Sequence, residues 1–180
     1  MYHAKQLTAI FLMALLTACT STPDVPVTYN PPPPEPVVHK SPLEQQLDAA
    51  EQKASPQGRQ VLQTGRQMAL INGEIIRGGC WDYANTIYNR AGYKKHRQTV
   101  FKGNKNYGPY ADSNLIQHGD FLYYVNHSYH ESEHSAIFVD WLDYSTKTAL
   151  MLSYAGERRH QPARYKSYDL SNVYQIIRAR

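Results

Sequence analysis

The chain has 180 residues, and its 19 Lys and Arg against 15 Asp and Glu give a formal net charge of +4 at pH 7. The basic residues form no long run and no nucleic-acid-binding motif is present, so we expect no nucleic-acid partner. The 15 tyrosines favour either a surface that holds sugars or peptides, or half-buried strands.

The first 18 residues have the pattern of an export signal. Lys5 precedes an apolar run at 7–16, which has the length of a signal-peptide core and is too short for a lasting transmembrane helix. The sequence LTAC at 16–19 resembles the lipobox of bacterial lipoproteins, in which the chain is cut before the cysteine. We therefore expect residues 1–18 to be a lipoprotein signal peptide. We expect Cys19 to carry the lipid, with palmitate as one of its acyl chains. An ordinary signal peptide or a short membrane anchor is the alternative.

The next segment predicts a tether and a location. Thr20, rather than Asp, follows Cys19, and by resemblance to Gram-negative sorting rules this indicates the outer membrane, on the side that faces the periplasm. Residues 19–41 include PPPPEP at 31–36, which favours extended polyproline geometry, and they hold too little apolar surface for a core. We expect a semi-rigid spacer, with a Pro-rich ligand for a partner domain as the alternative. Residues 42–180 then form one domain.

Three segments in the first half of this domain predict helices. They lie at 42–53, at 57 to about 72, and from Cys80 onwards, and each carries apolar residues at three- and four-residue steps. Gly73 and Gly92 are placed to end the second and third helices.

The second half of the domain changes to short apolar runs that are typical of strands. These runs lie at 120–125, 135–141, 148–154 and 173–178. Helices followed by closely spaced strands predict an α+β domain, in which N-terminal helices pack on a central antiparallel sheet.

Cys80 is the first candidate for chemistry. With Cys19 assigned to the lipid, Cys80 has no disulfide partner in the chain, and it follows Gly78 and Gly79 at the start of a predicted helix. Unpaired backbone N–H groups at a helix N-terminus lower the pKa of a thiol and can hold an oxyanion. Cys80 is therefore a candidate nucleophile, with a buried structural cysteine as the alternative.

Three histidines lie close together between two predicted strands: His127, His130 and His134. His134 immediately precedes a predicted strand, which would fix it as the general base for a thiolate, whereas loop histidines are usually solvated. Metal binding by the three, with Glu131 or Glu133, is an alternative. Residues 130–134 read His-Glu-Ser-Glu-His, the His-Glu-x-x-His order of zinc peptidases. In those enzymes the motif lies on a helix, whereas this segment lies between two predicted strands and lacks the apolar periodicity of a helix, so we expect no metal and no cofactor.

The order of these features resembles the NlpC-type cysteine peptidases of bacterial cell walls. The shared features are a Cys at a helix start, the step Gly119-Asp120 that opens a strand, and a His that opens the next strand, and they cover about residues 77–180. The resemblance implies a compact papain-like fold, with Cys80 as nucleophile, His134 as base and a structural Gly-Asp step.

The resemblance also implies a third polar residue on the neighbouring strand, which orients the histidine. That position is usually His, Asn or Gln in the family, and here the candidates are Ser153 and, less well, Tyr154. The family's Asp-Cys-Ser is replaced by Gly79-Cys80-Trp81, which indicates a divergent member.

The function that the resemblance implies is a membrane-anchored thiol hydrolase that cleaves peptide or amide bonds in peptidoglycan. Its partners would be peptidoglycan, or another peptide or amide of the cell envelope, and the membrane that holds the lipid anchor. Two alternatives stay open. One is an acyltransferase or a lipid or thioester hydrolase on the same fold, and the other is a non-catalytic cell-wall-binding module.

Overall fold

The structure is a computed structural model, and it describes residues 40–180. The predicted signal peptide, the lipidation site at Cys19 and residues 19–39 of the predicted tether lie outside the described residues, so they stay predictions. Within the described region, no helix is both long enough and apolar enough to cross a bilayer.

Residues 40–180 form an α+β structure, which confirms the predicted fold class at that level. The three helices and six strands of this region are α1 (Pro42–Lys53), α2 (Pro56–Arg66), α3 (Cys80–Arg90), β1 (Arg97–Lys102), β2 (Phe121–Asn126), β3 (Ser132–Asp143), β4 (Thr148–Ser153), β5 (Arg164–Asp169) and β6 (Val173–Ala179). The described strands form one sheet in the order β1-β6-β2-β3-β4-β5, with antiparallel pairing throughout.

A capping box explains where α1 begins, and a π-helical turn extends α2 beyond its last α-helical residue. The hydroxyl of Ser41 accepts a hydrogen bond from the N–H of Glu44, and the Glu44 carboxylate accepts one of 2.7 Å from the N–H of Ser41, so α1 begins with a capping box. After α2 a π-helical turn over Gln67–Ile71 continues the helical path. Gly73, with φ +59°, follows the end of this turn, close to where the sequence predicts the helix to stop.

Two strands, β1 and β5, are not among those that the sequence predicts. They lie at the two edges of the sheet, and their sequences, RQTVFK and RYKSYD, are mostly polar. Edge strands are partly solvated, so they lack the apolar runs that mark the four inner strands.

The inner strands are apolar because both faces of the sheet are covered. Successive residues of a strand point to opposite faces. Phe121 and Ile137 therefore belong to a core cluster shared with the helices, whereas Leu122 and Phe138 belong to a second cluster on the other face. The helices pack on one face of the sheet, and the N-terminus of α3 lies near β3 and β4.

The Gly119-Asp120 step holds β2 in place. Gly119 has φ +87°, and a Cβ there would lie 2.6 Å from the Cα of Gly58 in α2, so only glycine fits. Asp120 is 1% exposed and accepts two hydrogen bonds of 2.8 Å from the guanidinium of Arg178. Burial raises the pKa of Asp120, against the opposing effects of Arg178 and of the Gln117 N–H. These contacts tie the start of β2 to α2 and β6.

Candidate active site

A cavity of about 1010 Å³ lies at the N-terminus of α3. The three residues that the sequence predicts as catalytic, Cys80, His134 and Ser153, all line it. Cys80 comes from the first turn of α3, His134 from β3 and Ser153 from the end of the neighbouring strand β4. The fold thus brings together three residues that are far apart in the sequence.

Cys80 is the first residue of α3, and the two glycines before it shape the turn that leads into the helix. Gly78 has φ +104°, and a Cβ there would overlap the carboxylate of Asp82. That carboxylate accepts a hydrogen bond of 2.7 Å from the N–H of Gly79, so Asp82 caps the helix. The N–H of Cys80 has no acceptor within the helix and can serve as an oxyanion donor.

The Cys80 thiol has a lowered pKa. Burial raises it, but the neighbouring polar groups of His134 and Ser135, together with the charge of His134, lower it more, and the pKa of Cys80 lies at about 7. An ordinary thiol of pKa about 8.5 is only about 3% thiolate at pH 7. At a pKa of about 7 roughly half of the thiol is ionised at that pH, and the thiolate is the nucleophilic form.

His134 is held by contacts on both sides of its ring. Its Nε2 lies 2.8 Å from Oγ of Ser153, which leaves Nδ1 for the thiol of Cys80. The ring packs against Tyr124 and Tyr168, with centroid separations of 5.5 and 5.6 Å. β3 begins at Ser132, so His134 lies within the strand and not just before it as the sequence predicts. The ladder of the sheet therefore fixes its backbone.

Tyr168 extends this arrangement by one hydrogen bond. Its hydroxyl lies 2.9 Å from Oγ of Ser153, so His134, Ser153 and Tyr168 form a hydrogen-bonded chain. When Nε2 carries a proton, Ser153 accepts from it and can donate its own proton to Tyr168. The sequence does not predict this residue because β5 is not predicted. The one signal for it is a short aromatic segment that follows β4, where an antiparallel partner strand would lie.

Ser135 is a second residue that the sequence does not predict. It is 3% exposed, and its hydroxyl has no hydrogen-bond partner among the described residues, but it lies close enough to Cys80 to lower the pKa of the thiol. Buried hydroxyls are rarely left unpaired. The Ser135 hydroxyl is therefore placed to stabilise the thiolate, and its position next to His134 is the only sequence signal for this.

The remaining candidates of this region make other contacts. The hydroxyl of Tyr154 donates a hydrogen bond of 2.8 Å to the carbonyl of Ile76, so it does not orient the histidine. His127 lies 2.6 Å from the Glu131 carboxylate, and neither His127 nor His130 lines the cavity. In the part of the chain that the structure describes, no group of three or more His, Cys, Asp or Glu residues is arranged to hold a metal ion.

Comparison with known proteins gives no match. No family model, no curated protein and no solved structure matches this chain. The fold class and the geometry of the cavity are therefore the grounds on which a function can be inferred.

Proposed function

We propose that this chain is a thiol hydrolase that cleaves peptide or amide bonds in peptidoglycan, with a divergent NlpC-type site on a papain-like fold. The observation that carries this proposal is the meeting of Cys80, His134 and Ser153 at one cavity. The thiol has a pKa of about 7, and the imidazole beside it is hydrogen-bonded to a third residue. The order of elements, a helix that begins with Cys and then antiparallel strands that carry the other two residues, supports the papain-like assignment.

In the proposed reaction the Cys80 thiolate attacks the carbonyl carbon of an amide and forms a tetrahedral intermediate. The N–H of Cys80, at the N-terminus of α3, stabilises the oxyanion. His134 then donates its proton to the leaving amine, the C–N bond breaks, and the acyl group remains on sulfur as a thioester. His134 next takes a proton from water, which attacks the thioester, releases a carboxylic acid and restores the thiol.

Ser153 and Tyr168 would support the charged form of His134 during these steps. Ser153 accepts from Nε2–H and so holds the ring with Nδ1 towards the sulfur. A hydroxyl stabilises an imidazolium less than a carboxylate does. The hydrogen bond from Ser153 to Tyr168 increases the acceptor strength of the Ser153 oxygen, because hydrogen bonds in a chain polarise one another.

The cavity favours a polar substrate over a long acyl chain. Among the described residues that line it, Ala155 is the one aliphatic side chain. A pocket for a fatty acyl chain would need a continuous apolar wall. This supports amide hydrolysis over the lipid-hydrolase and acyltransferase alternatives. The lipid anchor at Cys19 and the Pro-rich tether, both predicted from the sequence, would bring this site within reach of the cell wall.

The test is digestion of purified peptidoglycan by the full chain, with new amino groups and fragments identified by mass spectrometry. We expect cleavage by the wild type and a loss of at least about 1,000-fold in Cys80→Ser and in His134→Ala, since the nucleophile and its base act as a unit. His130→Ala is the matched control, because His130 does not line the cavity, and it should cleave at the wild-type rate. Undiminished cleavage by Cys80→Ser would refute the proposal.

A further inference from the structure

One side of the candidate site carries a concentration of positive charge. Arg158 and Arg159 lie in a turn after β4, Arg164 and Lys166 lie on the edge strand β5, and all four line the cavity. We call this set the basic wall. Glu133, on β3, is the one carboxylate among the described residues that line the same cavity. Four cations against one carboxylate leave the cavity with an excess of positive charge.

The charges of the basic wall are not used to hold the fold together. No carboxylate of the described residues forms an ion pair with any of the four side chains. By contrast, Arg66, Arg90 and Arg178 elsewhere in the domain are each paired with an acidic side chain. Unpaired cations along a cleft create a local potential that attracts anions.

The basic wall begins at the residues that orient the histidine. Alternate residues of a strand share a face, so Arg164, Lys166 and Tyr168 project from the same face of β5. Tyr168 is hydrogen-bonded to Ser153, and Arg164 lies directly opposite Ser153 in the register of β4 and β5. These cations and the thiol of Cys80 therefore line the same cavity.

We infer that the basic wall binds carboxylate groups of the substrate, so that the substrate is an acidic peptide, an inference that rests on the proposed function. The planar guanidinium of arginine matches a carboxylate with two parallel hydrogen bonds. Phosphate has a similar geometry, but the proposed reaction involves no phosphate, whereas a peptide substrate can carry carboxylates on its side chains and at its C-terminus. The cations select among peptides by charge, and the Cys80 thiolate attacks the amide carbonyl.

The first experiment compares two alkylating probes of similar size, anionic iodoacetate and neutral iodoacetamide. The full chain is treated with each, and modification is measured at the Cys80 peptide by mass spectrometry, so that Cys19 does not contribute. We expect the ratio of the iodoacetate rate to the iodoacetamide rate at Cys80 to exceed that of free cysteine by about 5-fold or more at low ionic strength. The excess should decrease in about 1 M salt, because salt screens the basic wall.

Matched double variants locate the effect. Arg164→Gln with Lys166→Gln should lower the iodoacetate rate by about 5-fold and leave the iodoacetamide rate within about twofold. Lys94→Gln with Lys95→Gln removes the same charge from two exposed residues outside the cavity, and it should change neither rate. Equal effects of the two double variants on the iodoacetate rate would overturn the inference.

A protection assay then separates carboxylate from phosphate. Triglutamate should protect Cys80 from iodoacetamide at a lower concentration than triglutamine does, and inorganic phosphate should protect less than triglutamate. Protection by phosphate alone would overturn the assignment to carboxylates. Fast alkylation by iodoacetamide with no preference for iodoacetate or triglutamate would overturn the inference and leave the proposed hydrolase intact. Slow alkylation by iodoacetamide with an ordinary thiol pKa would instead overturn the hydrolase.

Discussion

The hydroxyl of Ser153 on β4 lies 2.8 Å from Nε2 of His134 on β3. This hydrogen bond fixes which ring nitrogen is free for Cys80, and it links the histidine to Tyr168 through one further hydrogen bond of 2.9 Å. A small neutral residue stands here where the resemblance to the NlpC-type peptidases predicts a larger polar one, and the hydroxyl of a tyrosine from the edge strand is hydrogen-bonded to it. Each of these two hydrogen bonds can be removed separately by substitution.

Removal of the Ser153 hydroxyl should impair the reaction without unfolding the protein. We expect Ser153→Ala to lower the cleavage rate by about 10- to 100-fold, because the imidazole loses its orientation but keeps its proton chemistry. Ser153→Thr keeps the hydroxyl and should restore most of the rate. The pH profile of cleavage should also change in Ser153→Ala, which a purely structural role would not cause. Equal rates and equal profiles in Ser153→Ala and wild type would contradict the role of Ser153.

The Tyr168 hydroxyl should have a smaller effect. Tyr168→Phe keeps the ring that packs on His134 and removes only the partner of the Ser153 hydroxyl, so we expect a loss of about 2- to 10-fold, comparable to one hydrogen bond. The measurement is the cleavage rate across pH. Tyr165→Phe is the control, since Tyr165 packs against the helix-side cluster and does not line the cavity. A Tyr168→Phe variant as active as this control would place Tyr168 outside the mechanism.

Loss of the Ser135 hydroxyl should raise the pKa of Cys80. In the wild type this hydroxyl helps to hold the pKa of the thiol below its ordinary value, so Ser135→Ala should shift the midpoint of Cys80 alkylation from about 7 towards higher pH. Ser132→Ala, on the same strand and also lining the cavity, should leave the midpoint unchanged. A midpoint that does not move in Ser135→Ala would show that the thiolate is stabilised without it.

Asp120 should matter for stability and not for chemistry. Asp120→Ala leaves the guanidinium of Arg178 without its buried partner, which should cost about 3 kcal/mol in the free energy of unfolding. Asp143→Ala removes an exposed carboxylate that caps a turn and should lower the free energy of unfolding much less than Asp120→Ala does. Denaturant unfolding measures both. At temperatures where Asp120→Ala remains folded, the pKa of Cys80 should stay at about 7. A raised pKa of Cys80 would show that Asp120 affects the thiol as well as the stability of the fold.

The sequence predicts the inner part of the fold better than its edges. β2, β3, β4 and β6 are apolar on both faces, so their runs are visible, whereas β1 and β5 are polar because solvent covers them. The three helices are visible in the sequence because their apolar residues recur at three- and four-residue steps. Exposed edge strands are therefore the hardest elements to predict from a single sequence, because they lack an apolar run.

The same reason limits prediction of the site. Cys80, His134 and Ser153 lie at the ends of visible elements, and the structure places all three at one cavity. Tyr168 lies on an unpredicted strand, and Ser135 acts through a contact with the thiol that no spacing reveals. The basic wall is likewise scattered between a turn and an edge strand, so its convergence depends on the register of β4 and β5.

The most direct test of the account is the rate of Cys80 alkylation by iodoacetamide against pH, in the wild type, His134→Ala and His130→Ala. The wild type and His130→Ala should show a midpoint of about 7. In His134→Ala the largest of the lowering contacts is lost, while burial and the Ser135 hydroxyl remain, so the midpoint should rise towards about 8.5. A wild-type midpoint of about 8.5 that does not change in His134→Ala would contradict the dyad and favour a non-catalytic wall-binding domain.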